Sequence, residues 1–227
     1  MTLGSVDLAV AGDDRRQAYE AYAHLLGTTA GGLSSVSNGR VQVSDGRGSA
    51  HRALFATADY EATTRLLRRR GLSLRDLGTA AAEALDQPSV GVISDTELCL
   101  NPAETEITSI DHLVFNASNR DSAVALFGGT LGLDFRLEQS IHDGIHQLFF
   151  RSSTVVVEVV VGAPGQPAEP GAILWGIAWR SDDIDHTHHR LSAEGMAVSE
   201  IRVGRKPGTR VFTLREPAFG LPTLVLG

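Results

Sequence analysis

The chain has a single cysteine, Cys99, among its 227 residues, which excludes an intrachain disulfide framework and fits a reducing compartment. It has no excess of positive charge. Its 20 Lys and Arg stand against 27 Asp and Glu for a formal charge of −7, which disfavours nucleic acid and anionic membrane surfaces, because both need cations. It also has no long apolar run: "VVVEVVVG" is broken by Glu158 and falls far short of the ~20 residues that span a bilayer. The opening "MTLGSVDLAVAGDD" lacks a basic region and reaches Asp13 and Asp14, so it does not read as a secretory signal. Aromatic residues are sparse, at 6%, which counts against a cleft built for ring stacking. What is present is 42% hydrophobic residues, enough to fill a core in one large domain or two of about 100 residues. The expectation is a folded, cytoplasmic enzyme or binding protein whose partner is a small molecule, with no nucleic acid and no membrane.

The chain repeats itself four times. "VDLAVAGDDRRQAYEAYAHLLG", "AHRALFATADYEATTRLLRRRG", "DHLVFNASNRDSAVALFGGTLG" and "WGIAWRSDDIDHTHHRLSAEG" each read as a short strand, a polar turn, a helix-period stretch and a closing glycine. With Leu8, His51, His112 and Gly176 as matching strand positions, Gly27, Gly71, Gly132 and Gly195 follow by 19, 20, 20 and 19 residues. In the third unit Asn119 and Asp121 can cap the helix, and Gly132 fits the left-handed position that ends one.

More strands follow each helix. "LDFRLEQSIHDGIHQLFFRSSTVVVEVVVG" holds an Asp143-Gly144 hairpin signal and a final β-branched run, so the third unit reads β-α-β-β-β. The fourth repeats the plan. The second contains an alanine-rich stretch around residues 79–84 that reads equally as helix. "NPAETEIT" (101 to 108) and "GAPGQPAEPG" (162 to 171) read as connectors.

One strand carries an imidazole. In "SIDHLVFNA", residues 109 to 117, strict alternation puts Ile110, His112 and Val114 on one face and Asp111, Leu113 and Phe115 on the other. A lone strand histidine is most often a core group bonded to a neighbour. His112 is not alone: Glu158 follows 46 residues later, and His51 is likewise followed 46 residues later by Glu97 in "TELCLN". Burying an isolated carboxylate such as Glu158 among valines is costly, so on an inward face it needs a cation or hydrogen-bond donors.

Four such units, with "IDHLVFN" opening one and "REPAFGLPTLVLG" closing another, resemble the vicinal oxygen chelate superfamily. That superfamily includes glyoxalase I, extradiol ring-cleaving dioxygenases, methylmalonyl-CoA epimerase and the fosfomycin and bleomycin resistance proteins. The resemblance implies an α+β fold of four βαβββ modules forming two cupped mixed β-sheets with helices outside. It divides the chain into an N-terminal domain, 1–100 (modules 4–48 and 49–101), and a C-terminal domain, 108–227 (modules 108–162 and 172–227).

The resemblance also implies metal ligands on the first and last strands of contributing units. Its pattern matches His51, Glu97, His112 and Glu158, while Leu8, Gln42, Gly176 and about Thr223 stand at the corresponding places elsewhere. Units two and three facing each other, within one chain or across a homodimer, would gather all four ligands. Pairing of one with two and three with four would leave two ligands in each cup. The implied cofactor is a divalent metal ion, Fe, Mn, Ni, Co or Zn.

The leading expectation is a glyoxalase I-like lyase or isomerase that stabilises an enediolate on the metal. Glu158 or Glu97 would act as base, and His146 is a further acid–base candidate. An extradiol-type Fe(II) dioxygenase and a metal-free small-molecule binding or resistance protein are the alternatives. Cys99 reads as a small core residue, His186 and His189 as a solvated helix face, and Arg205, Lys206 and Arg210 as a surface loop.

Overall fold

The computed structural model describes residues 1–12, 14–27, 34–45, 50–77, 81–85, 89–142, 144–165, 167 and 171–227. The first unit comprises β1 (Thr2–Val10), α1 (Asp14–Leu26), β2 (Ser34–Val36) and β3 (Gly39–Asp45). The second comprises β4 (Arg52–Thr57), α2 (Tyr60–Arg69), β5 (Leu74–Asp76), β6 (Ala82–Leu85) and β7 (Val90–Ser94). The third has β8 (Ile107–Ala117), α3 (Arg120–Ala123) with a π-helical continuation over Val124–Thr130, β9 (Asp134–His142), β10 (Ile145–Arg151) and β11 (Val156–Val161). The fourth has β12 (Ala172–Ser181), α4 (Ile184–Ala193), β13 (Arg202–Val203), β14 (Arg210–Leu214) and β15 (Thr223–Leu226).

Units two to four therefore follow the β-α-β-β-β plan, and the first shows β-α-β-β among the described residues. The alanine-rich stretch is strand β6 where it is described; residues 78–80 lie outside the described residues, as do Asp143 of the hairpin turn and residues 166 and 168–170 of the second connector.

Local chemistry explains the repeat. Asp59, Asn119 and Asp183 each accept a hydrogen bond from the backbone N–H three residues on, at 2.9, 2.8 and 2.9 Å, satisfying an orphan donor of the first turn. The glycines that close the four helical segments, Gly27, Gly71, Gly132 and Gly195, all have left-handed φ, from 65 to 86°, a conformation that favours glycine because it lacks Cβ.

The strands form two open mixed sheets, ordered β2-β3-β1-β4-β7-β6-β5 and β13-β14-β15-β12-β8-β11-β10-β9. Each is joined at its middle by an antiparallel pair of first strands, β1 with β4 and β8 with β12. Unit one thus shares a sheet with unit two, and unit three with unit four. The alternative in which units two and three form one cup is not adopted.

Those units do meet, but through their helices. Arg70, just past α2, donates to the carbonyls of Gly129 and Thr130 at 3.0 and 3.3 Å. On the other side Tyr22 of α1 donates to the Phe219 carbonyl at 3.2 Å and packs edge-on against the Phe219 and Trp179 rings. One core cluster runs through both halves on this helical side, which leaves the opposite face of each sheet as the cup.

Candidate ligand-binding site

The cup of the C-terminal sheet is shaped by two β-bulges. Trp179 pairs with Ile110 and Ala178 with His112, so Asp111 is an extra residue on β8. Ile110 and Leu113 are both in the core, and the two residues between them, Asp111 and His112, therefore face the cup together. Strict alternation across "SIDHLVFNA" fails at this point, because a bulge inserts one residue and resets the faces.

The same device recurs on β12. Leu174 pairs with Phe115 and Gly176 with Val114, while Leu174 and Ile177 are core residues. Trp175 and Gly176 between them look into the cup.

His112 is oriented from behind. Its Nδ1 lies 2.9 Å from Asp111 Oδ1, and Arg180 holds the other carboxylate oxygen through Nε at 2.9 Å and through Nη2. Burial raises the Asp111 pKa, but the hydrogen bonds and charges of His112 and Arg180 outweigh it and bring it down to about 2. With Nδ1 committed to a carboxylate, the His112 ring presents Nε2 to the cup.

Glu158 faces it. Val114 pairs with Glu158 across β8 and β11, which puts the carboxylate on the cup face, 15% exposed, with its Oε2 3.8 Å from His112 Nε2. Gln147 on β10 donates to Glu158 Oε1, and Gln139 on β9 donates to Gln147 Oε1 at 2.9 Å. A relay of amides from the neighbouring strands thus supplies the donors that a carboxylate in a valine strand requires.

Of the four expected ligands, the structure brings together His112 and Glu158. His51 lies just before β4, where its Nδ1 accepts the Ala9 N–H at 3.2 Å and the ring makes a backbone hydrogen bond to Gly220. It ties the two halves together on the helical side, and burial holds its pKa below the usual value.

Glu97 is not on the last strand of its unit. β7 ends at Ser94, and Glu97 sits exposed in a 3-10 turn, Asp95–Glu97, beyond it. Ala53, two residues past His51 as Val114 is past His112, pairs with Val90. Ala53, Val90 and Val92 lie in the helical-side core while Ile93 packs on the cup face, so β7 carries no carboxylate where β11 carries Glu158.

The N-terminal cup is filled instead. Leu98, which follows the turn, packs with Leu54, Ala56, Ala82 and Ile93 on the cup face of β4, β6 and β7, and Arg40 donates to the Glu97 carbonyl at 3.1 Å.

Other expectations also resolve. His146 is 44% exposed with Nδ1 3.8 Å from Glu138 Oε1. It alternates with Gln147, which faces the cup, and so points to the helical side, where Arg120 also binds Glu138. It does not reach the cup as an acid or base. Cys99 is exposed rather than a core residue. On α4 His186 is exposed, as expected, with Nδ1 3.5 Å from Glu106 Oε1, and His188 lies 2.9 Å from the Ser199 carbonyl.

The superfamily implies a resident divalent metal, and the donor set can be tested for it. In the fourth unit the cup positions beside His112 are Gly176, Ala178 and Leu224, none of which has a donor side chain. Among the described residues no group of three or more His, Cys, Asp or Glu side chains is placed to hold a metal ion. Protein sites for these metals take three or four such ligands. The residues present do not fit that group.

Sequence reading had passed over Asp111, Gln147, Gln139, Arg180 and Trp175. The signal for Asp111 lies in the "IDH" order, legible once a bulge is admitted, and for Gln147 in its alternation with Leu148 and Phe150.

Comparison with known proteins agrees with the fold. Residues 111–213 match the family model of the Glyoxalase/Bleomycin resistance protein/Dioxygenase superfamily. A mutant of 4-hydroxymandelate synthase from Streptomyces coelicolor is similar with a TM-score of 0.73 at 14% identity, over 99% of this chain and 91% of that one. A xylose isomerase-like TIM barrel/4-hydroxyphenylpyruvate dioxygenase fusion protein gives 0.68 at 12% identity, over 99% of this chain and 48% of that one. Methylmalonyl-CoA epimerase from Mycobacterium tuberculosis aligns over 55% of this chain and 90% of that one, at 20% identity and a TM-score of 0.45. No protein of curated function matches the sequence. In the sequence of residues 111–213 and in the fold of the whole, the chain is similar to the vicinal oxygen chelate superfamily.

Proposed function

We propose that the chain binds a small organic molecule in its C-terminal cup without a resident metal, as a binding or resistance-type member of the superfamily. The observation that carries this reading is the His112–Glu158 pair, 3.8 Å apart, set among Gly176, Ala178 and Leu224, where further metal ligands would have to stand. Glu158 accepts an N–H or O–H of the ligand. His112 offers Nε2 as donor or acceptor beside it. The Asp111–Arg180 pair and the Gln139–Gln147 relay fix both groups, so little ordering remains to be done on binding.

A second reading is proton transfer on the bound molecule, an isomerase-type reaction. It is favoured by the bond between Asp111 and His112 Nδ1, which orients the imidazole with Nε2 toward the cup. In that chemistry Glu158 takes a proton from one carbon and His112, protonated at Nε2, delivers one to a neighbouring atom on the same face of the molecule.

The test is a small-molecule library screened by thermal shift in buffer containing EDTA, on wild type, His112→Ala and Glu158→Gln. Ligands that stabilise the wild type in EDTA and fail to stabilise either variant support the reading. Ligands that act only when a divalent metal is added, or that act equally on the variants, contradict it.

A further inference from the structure

Tryptophan exposed in the middle of a sheet is unusual, because large apolar side chains on central strands are normally covered. Trp175 lies on β12, the fourth of the eight strands in its sheet, and is 48% exposed, whereas Trp179 on the same strand is fully buried. The bulge on β12 is what turns it into the cup; a regular strand has no room for two successive residues on that face.

The register shows what lies beside it. Gly176 pairs with Val114, Val114 with Glu158, Glu158 with Phe149, and Phe149 with Leu137. One row across the cup therefore reads Trp175 and Gly176, Val114, Glu158, Phe149, Leu137. Gly176 and Val114 keep the centre low. Trp175 rises at one end and Leu137, 50% exposed, at the other. Glu158 lies two strand spacings from the Trp175 position, about 10 Å, the width of one or two fused rings. Asp111 is taken up by Arg180 and His112, so the carboxylate that the row offers to a ligand is Glu158, with Oε2 3.8 Å from His112 Nε2.

Resting on the reading of the cup given above, we infer that Trp175 is a stacking platform and that the ligand class is a planar ring carrying an N–H donor head, neutral or cationic, which Glu158 receives. The ring lies over Val114 against the indole face. The head points along the row to Glu158, with His112 Nε2 alongside.

The experiment uses two probes with similar N–H forks, planar 2-aminobenzimidazole and saturated cyclohexylguanidine, titrated by calorimetry and by intrinsic fluorescence. Because Trp179 is buried, a ligand-dependent change in emission reports on Trp175. The planar probe is expected to bind wild type about tenfold more tightly than the saturated one, with a change in emission. Trp175→Ala removes that preference but leaves weak binding of both probes, and Trp175→Phe restores most of it.

Equal binding of the two probes to wild type, both weakened by Glu158→Gln, overturns the stacking platform while the cup reading stands. Failure of both probes to bind at millimolar concentration overturns the stacking platform and the cup reading together. A dimer of the chain that Trp175→Ala dissolves would mean that a second copy covers this row, and would also overturn the proposal.

Discussion

Asp111 and His112 are sequence neighbours that face the same way, and the 2.9 Å contact between Oδ1 and Nδ1 exists because a bulge puts both on the cup side of β8. The carboxylate is bound in turn by Arg180 from β12, so the two central strands of the sheet are clipped together at the base of the candidate site. In Asp111→Asn and Arg180→Met, stability to urea should fall, and a double-mutant cycle should return a coupling of about 1 kcal/mol, as for a half-exposed charged pair with good geometry. Additive effects would mean that the contact does not contribute in solution.

His51 should make the fold sensitive to mild acid. Burial lowers its pKa from 6.5, with the Gly220 hydrogen bond opposing this, so the folded state prefers the neutral ring that accepts the Ala9 N–H. The unfolded chain takes up its proton as pH falls through about 6.5, and the folded chain does so at a lower pH. The stability due to His51 is therefore complete above that range and is lost as pH falls from 6.5 through the folded value, with a slope of at most ~1.4 kcal/mol per pH unit for one proton. Urea unfolding between pH 7.5 and 5 should show a steeper loss for wild type than for His51→Asn, which keeps an acceptor but cannot titrate. Parallel curves would contradict this role.

Tyr22 links the halves of the chain. Its hydroxyl is buried and donates to the Phe219 carbonyl, so Tyr22→Phe leaves that carbonyl without this donor. A loss of about 1 kcal/mol in unfolding free energy is expected, with one transition kept, because one core cluster serves both sheets. Two separated transitions in the variant would show that the hydroxyl is the main tie.

The N-terminal cup should not tolerate a side chain at Gly4. A Cβ there would sit 2.9 Å from Ile93 Cγ2 and 3.2 Å from both Ala56 Cβ and Leu98 Cδ1. Gly4→Ala is expected to destabilise by about 1 kcal/mol or more, despite the usual gain from replacing glycine. Pairing Gly4→Ala with Leu98→Ala should recover part of the loss if Leu98 is the residue that fills this cup.

Much of the fold was legible from a few residues. The distance of 19 or 20 residues from a matching strand position to Gly27, Gly71, Gly132 and Gly195 marked four helix ends, because a left-handed residue is needed wherever these helices turn back to the sheet. Which units share a sheet was not legible. The pairing that gathered the most ligands placed units two and three together, whereas strand pairing depends on the apolar inward faces of β1, β4, β8 and β12. His112 and Glu158 were found because one unit carries both on adjacent strands in simple register. Glu97 misled because distance along the chain does not report position on a strand when the intervening strands and loops differ in length. Trp175 and Asp111 were hidden by bulges, which alternation of side chains does not anticipate.

The most direct test of the account is metal content, measured by plasma mass spectrometry on protein purified without a metal column and then incubated anaerobically with Fe(II), Mn(II), Co(II), Ni(II) or Zn(II). A cup whose His112 and Glu158 have no third free ligand, Asp111 being held by Arg180, should retain well under one equivalent after gel filtration, with no difference between wild type and His112→Ala or Glu158→Gln. Retention of about one metal per chain, lost in both variants, would contradict the metal-free cup and restore the metal-dependent expectation.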